Sequence, residues 1–250
     1  MKKFEINIKA SLKMPCGKIA AQAAHAMGMA FMAHCEVISN VDDSVVLKVH
    51  DNGYFTGKTF EQLVSAVSLN QVSDDVFDEL KNAIESDSYN KTVVVDNGLT
   101  CFGGEKTPTI IMRDFAGGAV SKDQRLPFDV DAGITCKQGF FVKRSSGHLE
   151  NDIIIECSVL SLLALTSRVD LDSMTLTLVK SSPVYSWLTT AFGKTVVGSK
   201  KESKFRMVVD TLVAKNVRTW ANNAATIVVT EPLPSDELEQ LTHTSTFRLL

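Results

Sequence analysis

A run of helix-forming residues near the N-terminus is the feature that most constrains the fold of this chain. Residues 19–34, IAAQAAHAMGMAFMAH, are rich in Ala and Met, and Pro15 and Gly17 stand just before them, where a helix begins. Residues 4–9 alternate apolar and polar side chains, which predicts a half-buried strand. The chain is therefore expected to open as a strand, a loop and a helix, with Lys18 in the first helical turn.

A lysine in the first turn of a helix is unfavourable, because its charge opposes the positive end of the helix dipole. The cost is usually a few tenths of a kcal/mol, so this position indicates a site that collects positive potential for an anion such as phosphate. At about 100° per residue, a helix would carry a polar stripe and a packing stripe. The polar stripe contains Lys18, Gln22, His25 and Met29, and the packing stripe contains Ile19, Ala23, Ala26 and Ala30.

Composition sets the broad class. The chain has 250 residues, of which 44% are hydrophobic and 22% charged, and these values are typical of globular proteins. A net charge of -3 argues against a protein that coats nucleic acid non-specifically, although a local basic patch can still hold a phosphate backbone. The five cysteines are scattered without a C-x-x-C pair, which predicts reduced thiols and no zinc site.

No leader or membrane segment is expected from the sequence. Glu5, Lys9 and Lys13 interrupt the N-terminus before an apolar run of signal-peptide length can form. The most apolar later stretch, residues 153–167, is shorter than the roughly 20 residues that a membrane span needs. We therefore expect a cytoplasmic protein that does not bind membranes.

The two halves of the chain both alternate strands with helices, which favours an α/β arrangement with helices packed on a small sheet. In the first half, strands are predicted at 45–49, 92–95 and 109–112, and helices at 59–69 and 73–86 with Ser73 as N-cap. Residues 113–147 look like a connector or an irregular hairpin. In the second half, strands are predicted at 152–157, 175–180, 195–198 and 226–230, and helices at 184–192, at 203–216 and from Ser235.

Three segments resemble the type 2 peptidyl-tRNA hydrolases. Residues 11–26, SLKMPCGKIAAQAAHA, are similar to that family's D-L-K-M-x-K-G-K-x-A-A-Q-x-x-H-A, and residues 96–101, DNGLTC, to its D-x-G-x-T-Q. Residues 226–242 and the terminal FRLL look like its last strand, its Pro-containing turn and its T-G-x-L-K-L-L ending.

The resemblance implies an α/β fold with a small mixed sheet, and the chain is about twice as long as the family. We expect a hydrolase-like domain at 1–114, a connector at 115–150 and a second, degenerate copy at 151–250. The alternative is a single hydrolase fold split by a large insertion. A doubled chain with an altered motif would suit a virus or phage genome.

The implied activity is hydrolysis of the ester bond of peptidyl-tRNA, without metal or organic cofactor. The resemblance and the residues point to the same catalytic groups: Lys18, His25, Asp96 and Thr100. In this hypothesis Asp96 polarises the water or orients its partner, Thr100 donates to the substrate, and Lys18 stabilises negative charge. His25 positions Gln22 or contacts RNA. The residues expected to bind tRNA are Lys13, Gln22, Lys200, Lys201, Lys204 and Arg206.

Several departures from the family pattern support other interpretations. Ser11, Cys16 and Cys101 replace polar family residues, which suggests a non-catalytic module that binds tRNA or protein. Recruitment to another ester or amide on a nucleotide is a third hypothesis. Without the resemblance, Lys18 would be a solvated lysine, His25 a structural histidine and residues 96–98 a simple turn. Residues 131–136, DAGITC, repeat the Asp96 motif and are interpreted as a structural turn. An exposed sheet edge would favour a homodimer.

Overall fold

In the computed structural model of the chain, the described residues are 4–83, 90–98, 101–129, 132–144, 149–244 and 248–249. The strands are β1 Phe4–Lys9, β2 Cys35–Asn40, β3 Ser44–Val49, β4 Val67–Val72, β5 Asn90–Asp96, β6 Thr107–Asp114, β7 Cys136–Lys143, β8 Thr175–Val179, β9 Gly193–Ser199, β10 Thr219–Ala221, β11 Ile227–Pro234 and β12 Arg248–Leu249. The helices are α1 Cys16–Met32, α2 Phe60–Ala66, α3 Asp74–Asn82, α4 Glu150–Thr166, α5 Pro183–Thr189, α6 Glu202–Ala214 and α7 Ser235–Thr244.

The first sheet is mixed and has the strand order β4-β1-β6-β5. Strand β1 runs parallel to β4 and antiparallel to β6, which is antiparallel to β5. Alternation along β1 directs Phe4, Ile6 and Ile8 to the core face, against which α1 packs. Helix α3 covers the opposite face, where the Lys9 ammonium lies 5.5 Å from the centre of the Phe77 ring. The expected α/β class with helices on a small mixed sheet is confirmed.

The second sheet repeats this arrangement. Its order is β10-β11-β7-β9-β12. Strand β7 is parallel to β9 and antiparallel to β11, which is antiparallel to β10. Four of its strands, β9-β7-β11-β10, thus follow the order and the directions of β4-β1-β6-β5. Helix α4 follows β7 as α1 follows β1, and α6 follows β9 as α3 follows β4.

Helices α1 and α4 pack side by side between the two sheets. Each has 17 residues. Their first turns are neighbours, because the Cys16 Sγ lies 3.8 Å from the Glu150 carbonyl oxygen. Their last turns are neighbours too, since a Cβ on Gly28 would lie 3.7 Å from a methyl carbon of Leu165. The two helices are therefore parallel, and each buries residues on nearly all of its faces.

A small third sheet joins the halves of the chain. Strands β2 and β3 form an antiparallel hairpin, and β8 from the second half pairs antiparallel with β3. Helices α6 and α7 lie on the far side of the second sheet and bury Phe205, Leu212 and Leu238 against it. From outside to outside, the layers are α3, the first sheet, the α1–α4 pair, the second sheet, and α6 with α7.

Sequence predictions of secondary structure were wrong or incomplete at several places. Residues 152–157 belong to α4 and form no strand; the β-branched Ile triplet favoured a strand, but the apolar run continues unbroken for the length of a helix. The helix predicted at 59–69 ends at Ala66, after which β4 begins, and β2 was not predicted. The stretch interpreted as a connector contains β7, the central strand of the second sheet.

Candidate active site

Three predicted residues converge beside the first sheet. The Asp96 carboxylate, at the end of β5, forms an ion pair with the Lys18 ammonium and accepts a hydrogen bond from the Gln22 amide. Lys18 and Gln22 are four residues apart and so lie on one face of α1. Asp96 is 5% exposed and the Lys18 side chain 17%, which places the pair at the boundary between protein and solvent.

The backbone after β5 fixes the orientation of the Asp96 carboxylate. The Gly98 N–H donates to Asp96 Oδ1 at 2.8 Å, while Oδ2 faces Lys18 and Gln22. Gly98 has a φ of +76°, and a Cβ there would lie 2.6 Å from backbone atoms of Glu105. Only glycine fits this turn, which is the physical reason for the D-x-G pattern.

The start of α1 adds positive potential to the site. Pro15 is the N-cap, so no side chain accepts from the first-turn amides, and the first turn contains no acidic residue. The helix dipole and Lys18 therefore act in the same sense. The negative charge of Asp96 offsets both positive charges, and its ion pair fixes the position of the Lys18 ammonium beside the first turn of α1.

His25 lies further along the same stripe, where it contacts the second half of the chain. Its ring stacks on Phe192 of the second half, with the ring centres 5.1 Å apart and 22° between the planes. The buried Nε2 has no hydrogen-bond partner. Burial lowers the pKa of His25 well below its ordinary value, and the nearby Lys194 charge lowers it further. Gln22 bonds to Asp96 while the His25 ring packs on Phe192, and the catalytic role expected for His25 stays a prediction.

Gln22 was expected to contact tRNA, but it is only 8% exposed and its amide donates to Asp96. Its geometry supports a role in holding the carboxylate. Lys13 is exposed in the loop before α1, with a left-handed φ of 46°, so its side chain is accessible. Thr100 lies outside the described residues, as does Asp131 of the second DAGITC motif.

The second basic cluster lies in the second half of the chain. Its four members, Lys200, Lys201, Lys204 and Arg206, lie at the end of β9 and the start of α6. Helix α6 packs on the face of the second sheet opposite the α1–α4 pair, so that sheet separates α6 from Lys18. Lys200 directly follows Ser199, whose carbonyl accepts a hydrogen bond from the Arg144 N–H at the edge of the second sheet where α4 begins. The expected contact of these four residues with tRNA stays a prediction.

The second half brings two residues near the site: Phe192, which sequence reasoning missed, and Lys194, which belongs to the basic stretch of the sequence. Phe192 packs on His25, and the Lys194 ammonium lies 4.7 Å from the Trp187 ring centre, where it donates to the Phe192 carbonyl at 3.0 Å. Burial lowers the pKa of Lys194 well below its ordinary value. No local pattern could have linked these residues to α1, because they are more than 160 positions away.

Metal sites and membrane-spanning helices were also sought among the described residues. Within the described ranges, no group of three or more His, Cys, Asp or Glu residues is arranged to hold a metal ion. In the same part of the chain, no helix combines the length and the apolar character needed to cross a bilayer. The described residues combine a small mixed sheet with a buried aspartate that is ion-paired to a lysine in the first turn of a helix.

The family comparison agrees with this geometry. Residues 3–113 match the model of the family Peptidyl-tRNA hydrolase PTH2, which confirms the resemblance of the N-terminal part of the chain to that family. The match begins just before β1 and ends in β6, so it spans the first sheet, α1 and the Lys18–Asp96 pair. Comparisons with curated proteins and with solved structures find no match.

Proposed function

We propose that this protein hydrolyses the ester bond between the peptide and the terminal ribose of peptidyl-tRNA, releasing free tRNA in the cytoplasm. The observation that carries the proposal is the convergence of Lys18, Gln22 and Asp96 at the start of α1. The PTH2 match over this region supports the same reaction. N-blocked aminoacyl-tRNA is a substrate with the same ester.

The reaction needs a water, a polar group to direct it, and donors for the oxyanion that develops. Asp96 accepts a hydrogen bond from the attacking water, directly or through Gln22, and so aims its oxygen at the ester carbonyl carbon. Lys18 and the positive end of α1 stabilise the negative charge on the carbonyl oxygen. The water oxygen bonds to the carbonyl carbon and the ester C–O bond breaks. One water proton passes to the ribose oxygen, the other is released to solvent, and the peptide leaves as a carboxylate.

Substrate binding is electrostatic in this proposal. Lys13 is exposed five residues before Lys18 and contacts a phosphate near the 3′ end of the tRNA. Lysine contacts to phosphates position nucleic acid without reading its sequence. The basic cluster of the second half, Lys200, Lys201, Lys204 and Arg206, contributes further phosphate contacts.

The direct test is release of labelled N-acetyl-aminoacyl groups from tRNA by wild-type protein, Asp96→Ala and Asp75→Ala. We expect hydrolysis by the wild type, a fall of at least about a hundredfold in Asp96→Ala, and little change in Asp75→Ala. Asp75 is the matched control, since it is an exposed aspartate in α3.

A second candidate is a non-catalytic module that binds tRNA, which the replacements Ser11, Cys16 and Cys101 favour. Wild-type protein that binds the same tRNA in a filter assay without releasing the acyl group would establish this candidate. Hydrolysis of other esters or amides on nucleotides, with peptidyl-tRNA left intact, would instead show that the cleft has another substrate.

A further inference from the structure

We propose that residues 136–250 are a second copy of the hydrolase architecture whose own cleft is catalytically disabled, and that this copy serves as the built-in partner that holds α1 in place. The proposal rests on the proposed function for its statement about catalysis. It makes the chain an internal pseudo-dimer with one working site.

The spacing of elements places the two copies in register. Strand β1 ends at Lys9 and α1 begins at Cys16, while β7 ends at Lys143 and α4 begins at Glu150, so both intervals are the same. Cys16 and Glu150 are 134 positions apart. With equal helix lengths, this separation pairs Lys18 with Asp152, Gln22 with Glu156, and His25 with Val159.

Both halves have a hydrogen bond between an amide and a carboxylate that joins the central helix to the strand hairpin. The helix supplies the amide in the first half and the carboxylate in the second. In the first copy the Gln22 amide donates to the Asp96 carboxylate. In the second, the Asn222 amide donates to the Glu156 carboxylate at 2.7 Å. Asn222 follows β10, the counterpart of β5, and bonds to Ile227 of β11. In sheet register it corresponds to Val94, two positions before Asp96 and on the same face.

The chemistry of the second cleft is opposite to that of the first. Where α1 has Lys18, α4 has Asp152, and its first turn also contains Glu150. These acids suit the positive end of the helix dipole, whereas Lys18 opposes it, so the second copy has the more stable arrangement and the first the functional one. At the position of Lys18 the second copy therefore has a carboxylate, which repels both a phosphate and an oxyanion.

The hairpin has also lost the loop that follows Asp96. Residues 222–226 connect β10 to β11, whereas residues 97–106 connect β5 to β6. All polar atoms of the Asn222 side chain are used within this turn and the contact to Glu156: its Oδ1 accepts from the Thr226 and Ile227 amides at 2.8 and 3.0 Å. The counterpart of the loop after Asp96 is thus a short turn in which the polar atoms of Asn222 are all hydrogen-bonded.

What the second copy contributes is packing on α1. Phe192 has a left-handed φ of 47°, which is costly for an aromatic residue, and this conformation directs its ring onto His25. Gly28 admits that ring, because a Cβ there would lie 3.3 Å from it. Helix α4 covers another face of α1. The second copy therefore fixes the helix whose first turns carry Lys18 and Gln22.

The equivalence of the two halves is tested by exchanging the amide and the carboxylate between Asn222 and Glu156. Asn222→Asp places two carboxylates together, and we expect a melting temperature lower by roughly 5 °C. Adding Glu156→Gln restores an amide–carboxylate pair with the polarity of the first copy, and we expect most of the loss to be regained. Asn151→Asp, in the first turn of α4, is the control and changes little. A double variant no more stable than Asn222→Asp would overturn the equivalence of the two contacts.

Catalysis is tested in the same full-length proteins with N-acetyl-aminoacyl-tRNA. We expect a loss of at least about a hundredfold for Asp96→Ala and a change below about twofold for the folded double variant Glu156→Gln/Asn222→Asp. Hydrolysis that survives Asp96→Ala but falls in the double variant would locate catalysis in the second copy and overturn the proposal. If no form hydrolyses the ester, including the wild type, the proposed function is rejected, while the melting temperatures still decide the repeat.

Discussion

Replacing Lys18 tests both the stability and the function of the site. Lys18→Met keeps most of the aliphatic side chain and removes the cation that faces Asp96. Removing one partner of a buried pair usually costs about 3–5 kcal/mol. Asp96 keeps its hydrogen bonds from Gly98 and Gln22, and Lys18 is partly exposed, so we expect a loss of about 3 kcal/mol, at the lower end of that range. In a chain of this size, that corresponds to a fall of about 6–12 °C in melting temperature.

A double-mutant cycle separates the pair from the individual side chains. Unfolding by urea is measured for Lys18→Met, Asp96→Asn and the double variant. We expect the two losses to be non-additive by at least about 1 kcal/mol, because the second substitution removes a charge that the first has left unpaired. Lys13→Met is the control: this exposed lysine should change the stability by less than about 0.5 kcal/mol.

The reasoning would be refuted by a coupling energy near zero, which would show that the ion pair contributes no net stability. Acyl-tRNA hydrolysis provides an independent readout. Lys18→Met should lower it by at least about a hundredfold, because the oxyanion loses its principal cation. A stable Lys18→Met protein with full activity would remove Lys18 from the mechanism.

Three further outcomes follow from particular side chains. The pKa of His25 is lowered in the folded state from 6.5, so the unfolded state binds the proton more readily and the stability should fall as the pH drops below about 6.5. Between pH 7 and pH 5.5, the urea midpoint of His25→Phe should fall less than that of the wild type. Equal falls in the two proteins would contradict the burial of the ring. Lys13→Ala should reduce the slope of log affinity for tRNA against log salt by about one, and an unchanged slope would show that Lys13 makes no phosphate contact. Cys101 is the exposed thiol, and burial raises the pKa of Cys16 to about 11, so dithionitrobenzoate at pH 8 should label one thiol rapidly; Cys101→Ser should abolish that fast phase, and a persisting fast phase would show that another thiol is reactive.

The convergence of Lys18 and Asp96 could be anticipated because local signals defined both positions. Pro15 and Gly17 indicated where α1 begins, and Asp96 with Gly98 indicated a turn after a strand. In the strand–loop–helix opening, the helix lies over the sheet, so its first turns come near the ends of neighbouring strands. The resemblance supplied the pairing, and the residues supplied a physical reason for it.

The setting of His25 could not be anticipated in this way. Spacing places it on the stripe of Lys18, but the partner that decides its chemistry, Phe192, is 167 positions away. For the same reason the polar stripe predicted for α1 is largely covered: α4 and the β9 region pack where solvent was expected. Strand β7 was missed since its apolar residues follow a stretch of Gly, Asp, Lys and Ser that predicts a connector.

Strand β8 belongs to one half of the chain by sequence and completes a sheet of the other by hydrogen bonding to β3. A chain cut between the halves would leave the outer edge of β3 without its ladder and the Ala-rich sides of α1 open to water. Dividing the chain at this point would therefore expose apolar surface on both fragments, and neither would be expected to stay dispersed in water by itself.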